Sequence, residues 1–227
     1  MDRGPGPRPV PGRDLEDLPK EIATELQQVA HFGKAGLTKD LIAAAAKAYE
    51  EGSYAQALTL ANQAKQHAPR SATVREMLGL AYYRLGRWRE AARELAAYRR
   101  MSDRRDEDHI YADCERALGR PEKALEILQG LTPSEVGPEV YVEALVVAAG
   151  ALMDLNRHEQ AVEVLKRGPV DPEPVLEYHL RLWYVLAEAL EGSGRRAEAR
   201  DWWDAIYAED PDFFDVADRR LGLGGRA

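Results

Sequence analysis

"LGRWREAARELAAY", residues 85–98, begins with a phrase that the chain repeats. The copies are "GSYAQA" from Gly52, "GRWREA" from Gly86, "GRPEKA" from Gly119, "NRHEQA" from Asn156 and "GRRAEA" from Gly194. Their first residues are 34, 33, 37 and 38 positions apart. A nearly constant period of this size is typical of stacked supersecondary units.

Each copy lies between two segments with helical periodicity, and each opens with Gly or Asn. These are the residues that end helices in the left-handed conformation, which other side chains adopt only at a cost of about 1 kcal/mol or more. Each repeat is therefore predicted to be a helix, a tight turn and a second helix.

Small residues recur at two fixed places in every unit. The alanine that closes the phrase is Ala57, Ala91, Ala124, Ala161 and Ala199. Seven residues before each phrase stand Ala45, Gly79, Ala112, Ala149 and Ala187. Small side chains let two antiparallel helices approach closely, and larger ones would overpack the contact by about 1–3 kcal/mol. Larger apolar residues are expected around this contact, namely Leu78, Trp88, Leu95, Leu186 and Trp203.

This arrangement resembles the tetratricopeptide repeat (TPR), a helix pair of 34 residues. The second unit matches the family pattern best, through Leu78, Gly79, Tyr82, Gly86, Trp88 and Ala91. The first unit keeps Gly52, Tyr54, Ala57, Ala64 and Pro69, and the fifth keeps Trp183, Leu186, Ala187, Ala199 and Pro211. The third and fourth units are degenerate. The resemblance implies an all-α fold, a right-handed α-solenoid of about five helix pairs.

The predicted organisation has four parts. Residues 1–16 are expected to be a flexible tail, since four of the thirteen prolines lie in the first twelve residues. An N-terminal helix and linker follow at 17–37, then the solenoid at 38–211, and a C-terminal capping helix and tail at 212–227. The units of the solenoid are placed near 38–71, 72–104, 105–138, 142–175 and 180–211.

The apolar faces at the two ends of a solenoid need capping helices. In "DLPKEIATELQQVA", Asp17 is a candidate cap and Ile22, Leu26 and Val29 share one helical face. In "DPDFFDVADRRLG", Asp212 is the candidate cap and Gly222 the stop. Its predicted packing residues are Phe213, Phe214, Val216 and Leu221.

Composition narrows the class of protein. Cys114 is the only cysteine, so no intrachain disulfide can form and a reducing cytoplasm is the expected location. The longest apolar stretch, "ALVVAAGALM" from Ala144, is about half of what a membrane span needs. A soluble protein without membrane contact is expected.

Catalytic and metal-binding patterns are weak. The five histidines lie in different units, without the i, i+4 spacing of a helical zinc site. His109 and Asp113 near Cys114 are interpreted as a surface hydrogen-bonded pair beside a buried cysteine. We expect no enzyme activity, no cofactor and no metal.

In the TPR family, ligands lie in a groove lined by the first helix of each pair. Carrying those positions across predicts Tyr49, Glu76, Tyr83, Arg84, His109, Asp113, Arg116, Arg181, Tyr184 and Glu188 as groove residues for a protein or peptide partner. Some of them could instead pack between neighbouring pairs. Ile42 and Ala46 replace two of the residues with which chaperone-binding members hold a C-terminal carboxylate, which argues against a co-chaperone role.

Charge is uneven along this acidic chain of net charge −8, since residues 72–105 carry nine arginines against four acids. The candidate basic face consists of Arg89, Arg93, Arg99, Arg100, Arg104 and Arg105. A solvated outer face explains such a stripe. The alternative function is an RNA- or ribosome-associated protein that binds through these arginines. A third class is a self-assembling protein that uses the first helix or the Phe213–Phe214 cap.

Overall fold

The computed structural model describes residues 20–222, which form thirteen helices and contain no strand. The predicted tail and the Asp17 cap lie outside this range. The described chain divides after Arg120 into two compact units, an N-terminal unit (20–120) and a C-terminal unit (121–222). None of the helices between Lys20 and Gly222 is both long and apolar enough to span a bilayer. The prediction of an all-α fold is confirmed.

The N-terminal unit holds six helices. They are α1 (Lys20–Val29), α2 (Ala35–Glu50), α3 (Tyr54–His67), α4 (Ala72–Arg84), α5 (Trp88–Ser102) and α6 (Asp108–Ala117). From α2 onward, each helix packs against the next along the chain. The side chain of Ser71 caps α4 by accepting a hydrogen bond from the Val74 amide, at 3.1 Å. Two predicted pairs, α2/α3 and α4/α5, are therefore regular helix hairpins.

The C-terminal unit holds seven helices. They are α7 (Pro121–Leu128), α8 (Pro133–Val136), α9 (Pro138–Asp154), α10 (His158–Leu165), α11 (Glu177–Gly192), α12 (Arg196–Glu209) and α13 (Val216–Gly222). The hairpins α9/α10 and α11/α12 pack side by side. Both α7 and α10 have 8 residues, whereas α3, α5 and α12 have 14 or 15. The degenerate repeats thus have shortened second helices.

The predicted helix stops all lie in left-handed backbone. The values of φ are 76° at Gly52, 70° at Gly86, 75° at Gly119, 57° at Asn156 and 83° at Gly194. Each repeated phrase therefore turns the chain where its first residue can adopt this conformation without the strain that a β-branched side chain would incur.

Close contact at the small residues is also confirmed. All nine alanines of the set have no exposed surface, and Gly79 is buried. A Cβ atom added to Gly79 would lie 2.6 Å from Cγ of Leu95, well inside contact distance. Leu78, Leu95, Leu186 and Trp203 are buried around these contacts, and Trp88 packs against them partly buried.

The terminal helices differ in part from their predictions. Ile22 and Leu26 of α1 are buried as expected. At the other end, however, α13 begins at Val216, and Asp212 lies in the preceding turn rather than at a helix cap. Phe213 and Val216 are buried, but Phe214 is 46% exposed and Leu221 is 73% exposed. The two exposed side chains were wrongly assigned to the packing face because a cap at Asp212 predicts a helix from Phe213, three residues before the observed start at Val216.

Candidate partner-binding site

Tyr49, Tyr54 and Arg84 form an aromatic and cationic array in the N-terminal unit. The guanidinium of Arg84 lies 4.7 Å from the ring centroid of Tyr54 and donates a hydrogen bond to its hydroxyl. Tyr54 in turn meets Tyr49 edge to face, with centroids 5.2 Å apart. Arg84 is exposed, whereas the Tyr49 hydroxyl is buried without a hydrogen-bond partner among residues 20–222. The array holds an exposed arginine in one orientation.

A second polar cluster connects α4 with α6. The Tyr83 hydroxyl donates a hydrogen bond of 2.9 Å to one carboxylate oxygen of Asp113, and Nε of Arg116 lies 3.2 Å from the other. Burial raises the pKa of Tyr83, and the neighbouring Asp113 carboxylate raises it further. The hydroxyl therefore stays protonated and acts as a donor. The side chain of Arg116 keeps 18% of its surface exposed beside the cluster.

The interpretation of His109 and Asp113 as a surface pair is wrong. His109 is 1% exposed and Asp113 is 6% exposed, because α6 packs against both α4 and α5. Cys114 is fully buried, as predicted, and burial raises the pKa of its thiol. The spacing of these residues did not reveal their burial, since polar residues normally mark the outer side of a helix.

Glu76 lies in a groove of about 630 Å³ between α1, α4 and the end of α5. Here the Glu25 carboxylate accepts hydrogen bonds from the Ala72 amide (2.5 Å) and the Thr73 hydroxyl (2.6 Å). Glu25 thus satisfies donors at the start of α4 and fastens α1 across it. The N-terminal helix occupies part of the face that the first helices were predicted to offer to a partner.

Arg181 lies within the C-terminal unit instead of on its surface. Its guanidinium makes two contacts of 3.0 Å with the Glu143 carboxylate, and the two side chains are 3% and 4% exposed. A bidentate pair of this kind fixes α9 against α11. Arg181 is therefore part of the packing between neighbouring pairs.

The last two predicted groove residues are covered by the C-terminal segment of the same unit. The Tyr184 hydroxyl donates a hydrogen bond of 2.5 Å to Asp215, and Arg219 lies 2.9 Å from the Glu188 carboxylate. Arg219 also pairs with Glu191 at 3.2 Å. Burial raises the pKa of Glu188, although Arg219 opposes this shift. The segment around α13 therefore occupies the face of α11.

The structure brings the predicted residues together in two sets, one in each unit. Five of the ten are buried and four are partly buried, so Arg84 is the one member of the set that is exposed. Sequence reasoning missed Glu143, Asp215 and Arg219. The only signal in the sequence was the charge of each residue. Their partners on α11 lie 28 to 38 positions away, beyond the reach of helical spacing.

The candidate basic face is partly offset by carboxylates of its own unit. Arg93 pairs with Glu94, Arg99 and Arg105 pair with Asp108, and Arg104 pairs with Asp106. Arg89 and Arg100 form no ion pair with any residue between 20 and 222. These three carboxylates offset only part of the six positive charges, since Asp108 serves two arginines and Glu94 is shared with Lys65 and Arg75.

Comparison with known families agrees with the helix hairpins. Residues 42–106 match a tetratricopeptide-repeat family model, and residues 180–205 match a second one. The chain is a tetratricopeptide-repeat protein. No curated protein sequence matches it.

Solved TPR structures share its fold at low sequence identity. The crystal structure of MamA protein has a TM-score of 0.58 and 16% identity, covering 77% of this chain and 92% of that chain. A putative kinesin light chain from Podosopora anserina, with nearly identical TPR-like repeats, has a TM-score of 0.60 and 20% identity. The match covers 78% of this chain and 96% of that chain. These likenesses concern the fold, and the TPR fold commonly serves as a scaffold for protein–protein interaction.

Proposed function

We propose that this TPR protein is a non-catalytic adaptor that binds a peptide or a partner domain in the groove lined by the first helices. The site is centred on Arg84, at the end of the first helix α4, and on Tyr54, which begins the second helix α3 at the edge of this groove. The observation that carries the proposal is the exposed Arg84 guanidinium, stacked on Tyr54 and hydrogen-bonded to it. Arginine and tyrosine are the residue types that most often anchor interfaces.

Arg84 is preorganised for binding. Ordering a long side chain on binding costs about 0.5–1.5 kcal/mol, and Arg84 is already held by Tyr54 in the free protein. Tyr83, Asp113 and Arg116 form a separate hydrogen-bonded cluster in the same unit. A carboxylate or a backbone carbonyl of the partner is the complementary group for Arg84, since a guanidinium donates and does not accept hydrogen bonds.

The test begins with selection of linear peptides from a random display library on the intact chain. We expect Arg84→Ala and Tyr54→Ala each to weaken the selected peptides at least about tenfold, as for an interface anchor. Arg89→Ala is the matched control, since Arg89 is exposed on the second helix of the same pair and forms no ion pair within residues 20–222.

Two results would contradict the adaptor proposal. One is that peptides bind with unchanged affinity after both substitutions at the array. The other is that RNA binds with a steep salt dependence that Arg89→Glu and Arg100→Glu abolish, which would favour the basic face. Helical circular dichroism of each variant separates loss of binding from loss of folding.

A further inference from the structure

Three positions recur wherever one helix pair meets the next, and we call them the bridging positions. The first bridging position is the eighth residue after the second small residue of one pair. The other two belong to the next pair: one is the fourth residue before its first small residue, and the other is the third residue after its second small residue. At the junction of the first two pairs they are Lys65, Arg75 and Glu94. Glu94 is fully buried and accepts from Lys65 at 2.9 Å and from Arg75 at 2.5 Å. Ion pairs therefore hold the two helix pairs together at this junction.

Other junctions are closed through the same positions. At the second junction the first two bridging residues are Arg99 and Asp108, 3.4 Å apart. At the junction of the fourth and fifth pairs they are Pro169, Trp183 and Trp202. There the two indole centroids are 5.5 Å apart, and Nε1 of Trp183 lies 3.4 Å from the Pro169 carbonyl oxygen. The two indole rings and the loop that contains Pro169 therefore hold these helix pairs together.

The junction of α7 with the fourth pair has no such bridge. Its bridging residues are Thr132, Leu145 and Val164, which offer no charge and no aromatic ring. Because α7 ends at Leu128, Thr132 lies beyond the helix, where its hydroxyl is 3.1 Å from that of Ser134. At the first junction, by contrast, Lys65 lies within the last turn of α3. At this junction the residue beyond the shortened helix contacts Ser134 in its own loop.

An open groove of about 520 Å³ occupies this place, between α7, α9 and α10. Its apolar lining includes Leu125, Tyr141, Leu145, Ala148 and Val164. Leu125, Tyr141 and Val164 are partly exposed. The volume falls within the range of about 300–1,000 Å³ that is typical of ligand sites. We call it the α7–α10 groove.

Charges of opposite sign flank the α7–α10 groove. Glu122 and Glu126 lie one turn apart on α7, while Arg157 and Arg167 lie just before and just after α10. The side chains of these four residues form no ion pair within residues 20–222. A partner that fits must therefore carry basic groups along one edge, acidic groups along the other and apolar side chains between them.

We propose that the α7–α10 groove is a docking site for an amphipathic helix of another protein, of about three turns, with one basic and one acidic edge. Each flanking helix has 8 residues and is about 12 Å long, which matches the spacing of apolar residues at i, i+3 or i+4 and i+7 of a bound helix. The bound helix supplies the contacts that the bridging residues make at the closed junctions. This site is separate from the Arg84 array and does not depend on it.

Three synthetic helical peptides with the same leucine stripe test the proposal. One has a lysine edge and a glutamate edge, the second has lysine on both edges, and the third has glutamate on both. We expect the mixed peptide to bind the full chain with a Kd below about 100 µM by fluorescence anisotropy, at least tenfold tighter than the other two. Arg157→Glu combined with Arg167→Glu should shift the preference to the all-lysine peptide.

Val164→Glu introduces a carboxylate into the apolar lining of the groove, at the bridging position that Glu94 occupies at the first junction. This substitution should reduce binding of the mixed peptide at least tenfold. Val164→Leu is the matched control that keeps the lining apolar, and Arg84→Ala should leave this affinity unchanged. Helical circular dichroism and thermal unfolding of each variant show that the chain remains folded.

Four outcomes would overturn the docking proposal. The mixed peptide could show no preference over the two single-charge peptides, or its binding could survive Val164→Glu. Sedimentation could instead reveal a dimer of the chain that Val164→Glu dissociates, which would make a second copy the occupant. Loss of peptide binding through Arg84→Ala alone would assign the peptide to the other site.

Discussion

The first and last junctions between repeats are held by different chemistry in the same register. In the N-terminal unit, Glu94 binds Lys65 and Arg75 by charge and hydrogen bonds. In the C-terminal unit, the equivalent positions bring Trp183 against Trp202. The repeat architecture therefore specifies where neighbouring pairs must be joined, but not by which interaction. A repeat can lose its bridge altogether, as at Leu145 and Val164, and still fold.

Removing the aromatic bridge should have the largest effect. We expect Trp202→Ala to lower the free energy of unfolding by about 3 kcal/mol, since large aromatic truncations in packed sites cost about 3–5 kcal/mol and Trp202 is only partly buried. Chemical denaturation at low and high salt measures this. The loss should be the same at both salt concentrations, and Trp202→Phe should recover part of it. A loss below about 1 kcal/mol would show that the ring contact does not hold the junction.

Removing the ionic bridge should have a smaller effect. Glu94→Ala leaves Arg75 and Lys65 without their shared acceptor, and we expect a loss of about 2 kcal/mol, since hydrogen bonds to charged groups contribute about 1.5–3 kcal/mol. Both cations keep some exposure to water, which limits the cost. Arg89→Ala on the same helix is the control and should change stability by no more than about 0.5 kcal/mol. Equal losses in the two variants would contradict a bridging role for Glu94.

Lowering the pH should weaken the ionic bridge and leave the aromatic bridge unchanged. We expect this change in unfolding free energy to be smaller than the loss caused by Trp202→Ala or by Glu94→Ala. Burial alone would raise the pKa of Glu94, but hydrogen bonds from Arg75 and Lys65 outweigh burial and hold the pKa below its ordinary value. A lowered pKa contributes stability above the unfolded value of about 4.3, and this contribution is lost as the pH falls through the folded value. The stability gap between the native chain and Glu94→Gln should therefore narrow from pH 7 to pH 3.

The difference in unfolding free energy between the native chain and Trp202→Ala is the reference in the same pH series. No titrating group takes part in the contact between the two indole rings, so this gap should stay nearly constant. Denaturation curves at four or five pH values measure both. A Glu94 gap that widens on acidification would mean that the carboxylate is not the stabilising form.

Features that depend on local chemistry could be predicted from the sequence. Gly86 and Asn156 mark turns because of the backbone conformation they tolerate. The resemblance to the TPR family assigns Tyr83 and Arg84 to the face of a first helix, and their role as groove residues stays a prediction. Spacing does not tell whether such a face stays open. Asp215 lies 31 residues from Tyr184, and no periodic pattern connects the two.

The sequence by itself determined the hairpins of this TPR protein, since a left-handed turn residue and two small residues at fixed spacing allow few other arrangements. The tertiary structure decided which residues are available for binding. His109 is buried, Arg181 is paired with Glu143, and the segment around α13 covers Tyr184. The physical reason is that exposure depends on contacts between distant segments, whereas a helix stop depends on the dihedral angles of one residue.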